Sequence, residues 1–132
     1  MNVLAFPRAF RDPHVARALD AMARAPEHRW TVAELARLVG LSRAAFARRF
    51  RDATGVSPLR HLTSLRMRFA AERLSTNVEK LAAIAALVGY TSEFAFAKAF
   101  KRAFGVSPGV FRDRRHEHAV RARAHARMLL AA

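Results

Sequence analysis

Two helical faces carry the side chains of this chain whose types and spacing can do chemistry. If residues 42–54 form a helix, a 3.6-residue period places Arg43, Ala44, Ala47, Arg48 and Arg51 on one side and Phe46 and Phe50 on the other. Residues 92–104 repeat the arrangement, with Glu93, Phe94, Ala97, Lys98 and Lys101 on one side and Phe96 and Phe100 opposite. Guanidinium and ammonium groups donate hydrogen bonds and accept none, so a row of them suits an anionic, acceptor-rich partner. Other chemistries lack their residues. The six histidines, His14, His28, His61, His116, His118 and His125, include no pair four apart around a glutamate, and there is no cysteine to complete a zinc set. The carboxylates are scattered, without a nucleophile elbow or phosphate loop, so neither an enzyme nor a cofactor or metal is expected.

The elements that position these faces are written twice. Ser42, Ala45, Phe46, Ala47, Phe50, Gly55, Val56, Ser57 and Pro58 recur unchanged 50 positions later, in the run Ser92 to Pro108. Upstream the offset is 49, where Ala33, Leu35, Ala36, Val39 and Gly40 meet Ala82, Ile84, Ala85, Val88 and Gly89, so Thr91 is one extra residue in the second copy. Each copy reads as a helix, a tight glycine turn and a second helix opened by serine, a helix-turn-helix pattern. Ala36 and Ala85 are small where two helices must approach closely. Ser42 and Ser92 are set to cap the second helices.

Around the two copies, Asp12-Pro13 opens a helix carrying Val15, Leu19 and Met22 that fades near Ala25-Pro26. Trp30 reads as core beside the start of the next helix, about Thr31 to Val39, whose Thr31 and Glu34 have capping-box spacing. The second helix of the first copy should bury Ala45, Phe46, Phe50 and Ala53, with the Arg49 head group left in solvent. Ser57-Pro58 begins a connector with no obvious breaker before Asn77, carrying Leu62, Leu65, Phe69 and Leu74. Some 17 residues at about 1.5 Å each span roughly 26 Å, which would let two reading helices meet successive major grooves of a duplex. The second copy's first helix is expected over Val78 to Val88 with Asn77 as its cap, and its second helix should bury Ala95, Phe96, Ala99, Phe100 and Phe104. A short last helix then holds Val110 and Phe111, ahead of a basic tail of unassigned order.

The expected division is therefore an N-terminal arm over 1–11, a first helix-turn-helix subdomain over 12–56, a connector helix over 57–76, a second subdomain over 77–115 and a tail over 116–132. The fold class is all-α, with about seven helices. Twenty-four Lys and Arg against 10 acidic residues give a net charge of +14 and a pI near 11.9. That balance favours a polyanionic partner. No run of 18 apolar residues exists, and the first residues lack the charge order of a secretion signal, so no membrane partner is expected and a cytoplasmic, nucleoid-associated bacterial protein is.

The second copy, Ala86-Leu-Val-Gly-Tyr-Thr-Ser-Glu-Phe-Ala-Phe-Ala-Lys-Ala-Phe-Lys-Arg-Ala-Phe-Gly105-Val-Ser-Pro108, resembles the AraC/XylS family of transcriptional regulators. With the first copy and the connector, the resemblance covers about Asp12 to Arg115. It implies two helix-turn-helix subdomains joined by a long helix, each inserting its second helix into the major groove of double-stranded DNA. It further implies base-reading positions at Arg43, Ala44, Ala47 and Arg48, and at Glu93, Phe94, Ala97 and Lys98. Arginine suits guanine O6/N7, Phe94 and the alanines suit thymine methyls, and Glu93 suits a cytosine amine. Ser42, Arg51, Ser92 and Lys101 are the phosphate candidates.

Family members commonly carry an effector-binding domain before this module, and this sequence reads as the module without it, so the expected form is stand-alone, monomeric and without an evident small-molecule effector. The alternatives are a module or truncated regulator that contacts RNA polymerase, and a nonspecific basic nucleic-acid binder.

Overall fold

The computed structural model describes residues 11–76 and 78–131, and its regular structure is entirely helical. Seven α-helices follow one another among the described residues: α1 (Pro13–Arg24), α2 (Val32–Val39), α3 (Arg43–Thr54), α4 (Pro58–Thr76), α5 (Leu81–Leu87), α6 (Glu93–Phe104) and α7 (Pro108–Ala131). They divide into two units, one ending at Arg68 and the other beginning at Phe69. Apart from Arg11, the expected N-terminal arm lies outside the described residues, as does the Asn77 cap.

In the first unit the helix starts are set by short polar side chains. Asp12 Oδ1 accepts from the amides of His14 at 3.0 Å and Val15 at 3.3 Å, with Pro13 in the first helical position. Thr31 Oγ1 accepts from the Glu34 amide at 3.0 Å. Only this half of the expected capping box forms, because the Glu34 carboxylate lies 2.7 Å from His28 Nε2 instead. Trp30 is half-buried, with its indole donating to the Ala25 carbonyl at 2.9 Å. Arg66 of α4 ties down the same loop by donating to the carbonyls of Pro26 and His28. Val15, Leu19 and Met22 of α1, Leu35 and Val39 of α2, and Phe46 and Phe50 of α3 form the core, which Leu62 and Leu65 of α4 join as buried residues.

In the second unit the core is aromatic. Phe96 and Phe100 are fully buried, and their rings chain on to Tyr90, Phe104 and Phe111 at centroid separations of 4.6–5.9 Å. That is the range in which offset and edge-to-face pairs add to simple burial. Ile84, Ala85 and Val88 supply the α5 side. Phe104 and Ala95, expected to be buried, are exposed. A period fixes the direction of a side chain and says nothing of how far its neighbours reach; Phe104 keeps one ring face on Phe100 and Phe111 and shows the rest to solvent.

Two further expectations need correction. The second copy's first helix begins at Leu81 rather than Val78, and Lys80 stands at its N-cap without a side-chain hydrogen bond. The residues before it are held another way: the Glu79 carboxylate pairs with Arg73, and its carbonyl accepts from Arg112 at 2.6 Å. Those bonds hold the chain extended up to Lys80, whose carbonyl then takes the first helical amides, those of Ala83 and Ile84. The short last helix and the basic tail are also one element, α7, running to Ala131.

The two tight turns are built alike. Gly40 and Gly89 have φ of 78° and 92°, and the following amides, of Leu41 and Tyr90, each reach back 2.9 Å to the carbonyls of Ala36 and Ala85. This 6→1 closure ends a helix in the left-handed region, where glycine has no Cβ to clash. Nothing lies within 4 Å of a Cβ built on Gly40, so Gly40→Ala should lose stability through backbone strain alone, about 1 to 2 kcal/mol by urea denaturation.

One histidine lies in the interior. His61 of α4 is buried against the Phe50 ring at 5.7 Å, and burial, with the Arg68 charge nearby, lowers its pKa from 6.5 to about 4. The fold holds this imidazole neutral, while the unfolded chain protonates it near pH 6.5. Its contribution is therefore complete above that pH and is lost as pH falls toward 4, by about 2 kcal/mol at pH 5. Urea midpoints at pH 7.5 and pH 5 should show this loss in the native sequence and much less of it in His61→Leu.

Candidate nucleic-acid interface

The second helix of each motif is placed by one polar cap and two buried rings. Ser42 Oγ accepts from the Ala45 amide and Ser92 Oγ from the Ala95 amide, both at 3.2 Å. In each serine the hydroxyl proton is still available to donate outward. Phe46 and Phe50 turn one side of α3 into the core, and Phe96 and Phe100 do so for α6, with the paired rings 5.7 and 5.9 Å apart. The opposite sides are thereby left to solvent.

On α3, Arg43, Ala44, Arg48 and Arg51 are exposed and Ala47 is half-buried; on α6, Glu93, Phe94, Lys98 and Lys101 are exposed and Ala97 is half-buried. Ser42 and Ser92 are exposed as well. Each group of six is thus gathered on one helix and its cap, and none is taken into the interior. The two surfaces differ in chemistry. That of α3 offers guanidinium forks separated by alanine methyls. That of α6 offers a ring, an ammonium and a carboxylate, with Lys98 Nζ 5.4 Å from the centroid of the Phe94 ring. Glu93 sits in the first turn of α6, where its charge complements the positive end of the helix dipole whatever it contacts outside.

A residue outside the sequence-based candidates joins the first surface. Ala47, Arg48, Arg51, Ser57 and Pro58 line a shallow pocket of about 230 Å³ at the start of α4. Ser57 Oγ accepts from the Arg60 amide at 3.3 Å, and that bond does not use its hydroxyl proton. Arg48, Arg51 and Ser57 thus border one space beside the exposed surface of α3. Ser57 stood out in the sequence only as a helix start repeated at Ser107, and its nearness to Arg48 and Arg51 comes from the bend of the chain at Gly55.

Other site chemistry has no support among the described residues. No group of three or more His, Cys, Asp or Glu side chains is placed to hold a metal ion. His116 is half-buried and His118 exposed. No described helix is long and apolar enough to cross a membrane.

The geometry has counterparts among known proteins. The family model of the helix-turn-helix domain matches residues 35–114. The chain is 44% identical over 102 residues to the RCS-specific HTH-type transcriptional activator RclR of Escherichia coli K12, covering 77% of this chain and 36% of that protein. It is 48% identical over 101 residues to a putative AraC-like transcription regulator of Streptomyces antibioticus, covering 76% of this chain and 33% of that protein. It therefore spans about a third of the length of these curated relatives. Among solved structures, the DNA-binding domain of AdpA, a global transcriptional factor determined in complex with a target DNA, superposes with a TM-score of 0.72 at 31% identity, over 83% of this chain and 94% of that one.

The outward side of α6 should be nearly silent in stability. Phe94 is 73% exposed and Phe96 is 0% exposed. Phe94→Ala is expected to change the unfolding free energy by less than about 0.5 kcal/mol, whereas Phe96→Ala should cost about 3 to 5 kcal/mol. Equal losses in urea titrations would mean that Phe94 is part of the core.

Proposed function

We infer that this chain, which belongs to the AraC-type helix-turn-helix family, is a sequence-specific double-stranded DNA-binding regulator of transcription. The observation that carries this reading is the duplicated motif whose second helix, α3 in one unit and α6 in the other, leaves a short row of cationic and methyl-bearing side chains outside a ring-anchored core. In the proposal, Arg43 and Arg48 read acceptor edges of guanine, and Ala44, Ala47, Ala97 and Phe94 meet thymine methyls. Lys98 and Glu93 complete the second surface, the carboxylate accepting from a cytosine amine. Ser42, Arg51, Ser92 and Lys101 hold phosphates and set the register. The two helices are proposed to enter successive major grooves of one duplex. Alanine at three reading positions limits hydrogen-bonded readout, so part of the preference comes from DNA shape.

Two reading helices in one chain make a bipartite site without a symmetric partner, which supports action as a monomer. A DNA-bound role supports the proposal of a cytoplasmic protein associated with the nucleoid. Contact with RNA polymerase is the natural further step for a regulator. Capture of polymerase without DNA is the competing reading, and it requires that Arg43→Ala, Arg48→Ala and Lys98→Ala together leave partner capture unchanged.

Duplexes selected from a random library should be retained in a mobility-shift assay at physiological salt against excess random competitor. No preference for the selected sequence would defeat the proposal. Arg48→Ala should cost about 1 to 3 kcal/mol, confined to one base position, while Arg51→Ala should weaken all sequences alike and flatten the salt dependence by about one unit. A uniform loss for Arg48→Ala would move that residue to the phosphates.

A further inference from the structure

We propose that residues 116–131, the part of α7 beyond the matched family domain, are an arm that binds DNA phosphates and lengthens the contact without reading sequence. The inference rests on the DNA-binding reading above, and it concerns residues to which that reading gives no role. The family match ends at residue 114, yet α7 continues as one helix to Ala131. Its first turns pack on α6 through Phe111, whose ring meets Phe100 and Phe104, so the arm grows from the unit that carries a reading helix.

Beyond Ala119 the packing stops. Every residue from Arg121 to Ala131 is exposed, and Arg121, Arg123 and Arg127 make no ion pair among the described residues. Glu117 is the single acidic residue of this stretch. At about 1.5 Å per residue it reaches roughly 24 Å, the length of about seven base pairs of duplex.

The distribution of the arginines selects the type of contact. Arg123 and Arg127, four apart, share one side, while Arg121 lies nearly opposite Arg123. The large apolar side chains of this stretch, Val120, Met128, Leu129 and Leu130, are exposed but lie before and after the arginines, and the last three point three different ways around the helix. A base-reading helix needs its donors on one face. Phosphates are dense along both strands, and long arginine stems swing their heads toward them from the flanks of a helix. Alternating alanine and arginine also favour the helical state without tertiary support.

The test uses the full-length chain carrying Arg121→Gln, Arg123→Gln and Arg127→Gln together, with circular dichroism to confirm retained helix. Dissociation constants are measured against KCl on a selected duplex and on a random one. The slope of log K against log salt should fall by two to three units on both, affinity should drop by the same factor on both, and the ratio between them should hold. The matching lysine triple variant should keep the native slope. An unchanged slope overturns the arm, and so does a loss confined to the selected duplex. If the native chain shows no preference between duplexes but the slope still shifts, the arm stands and the sequence-specific reading falls.

Discussion

Burial of two phenylalanines four residues apart fixes the rotation of α3 about its own axis, and the same pair does so for α6. A helix of twelve residues is marginal alone in water, so packing and not propensity decides that it forms and how it sits. With Phe46 and Phe50 inside, Arg43, Ala44 and Arg48 have no choice but to face out. The outward chemistry is thus a consequence of the inward one. Loss of Phe96 would disturb the placement of Lys98 although the two never need to touch.

The two motifs show which parts of the device are strict and which are free. The turn is strict: Gly40 and Gly89 share the left-handed conformation, and the amide closures to Ala36 and Ala85 have the same length. The serine caps are strict in the same sense. The approach to the first helix is free. In one unit Thr31 caps it, and in the other Arg73 and Arg112 hold Glu79 while Lys80 begins the helix uncapped. A side-chain cap satisfies one backbone amide, and positioning the preceding chain is another way to fix where a helix starts. The outer surfaces are freest, since nothing in the core constrains them. One bears arginines and the other a ring with a lysine over it.

Charge acts at two ranges. Close to α3, Arg48, Arg51 and Ser57 line one small space. Along the exposed end of α7, Arg121, Arg123 and Arg127 are spread around the helix, an arrangement for general attraction to a polyanion. The net charge of +14 bears on encounter and salt sensitivity more than on choice of sequence.

The duplication, the all-helical class, the glycine turns, the serine caps and the buried phenylalanines were all legible in the amino-acid order, because each follows from local spacing or from the conformational needs of one residue type. So was the outward direction of Arg43, Arg48, Phe94 and Lys98, which the helical period dictates once the inner face is known. Tertiary packing decided the rest. It kept His61 neutral beside Phe50, gave Glu34 to His28, left Phe104 half in solvent, delayed α5 to Leu81 through Arg73 and Arg112, and brought Ser57 to Arg48 and Arg51. These outcomes depend on groups distant in sequence or on how far a neighbouring helix extends, and no periodicity along a chain encodes either.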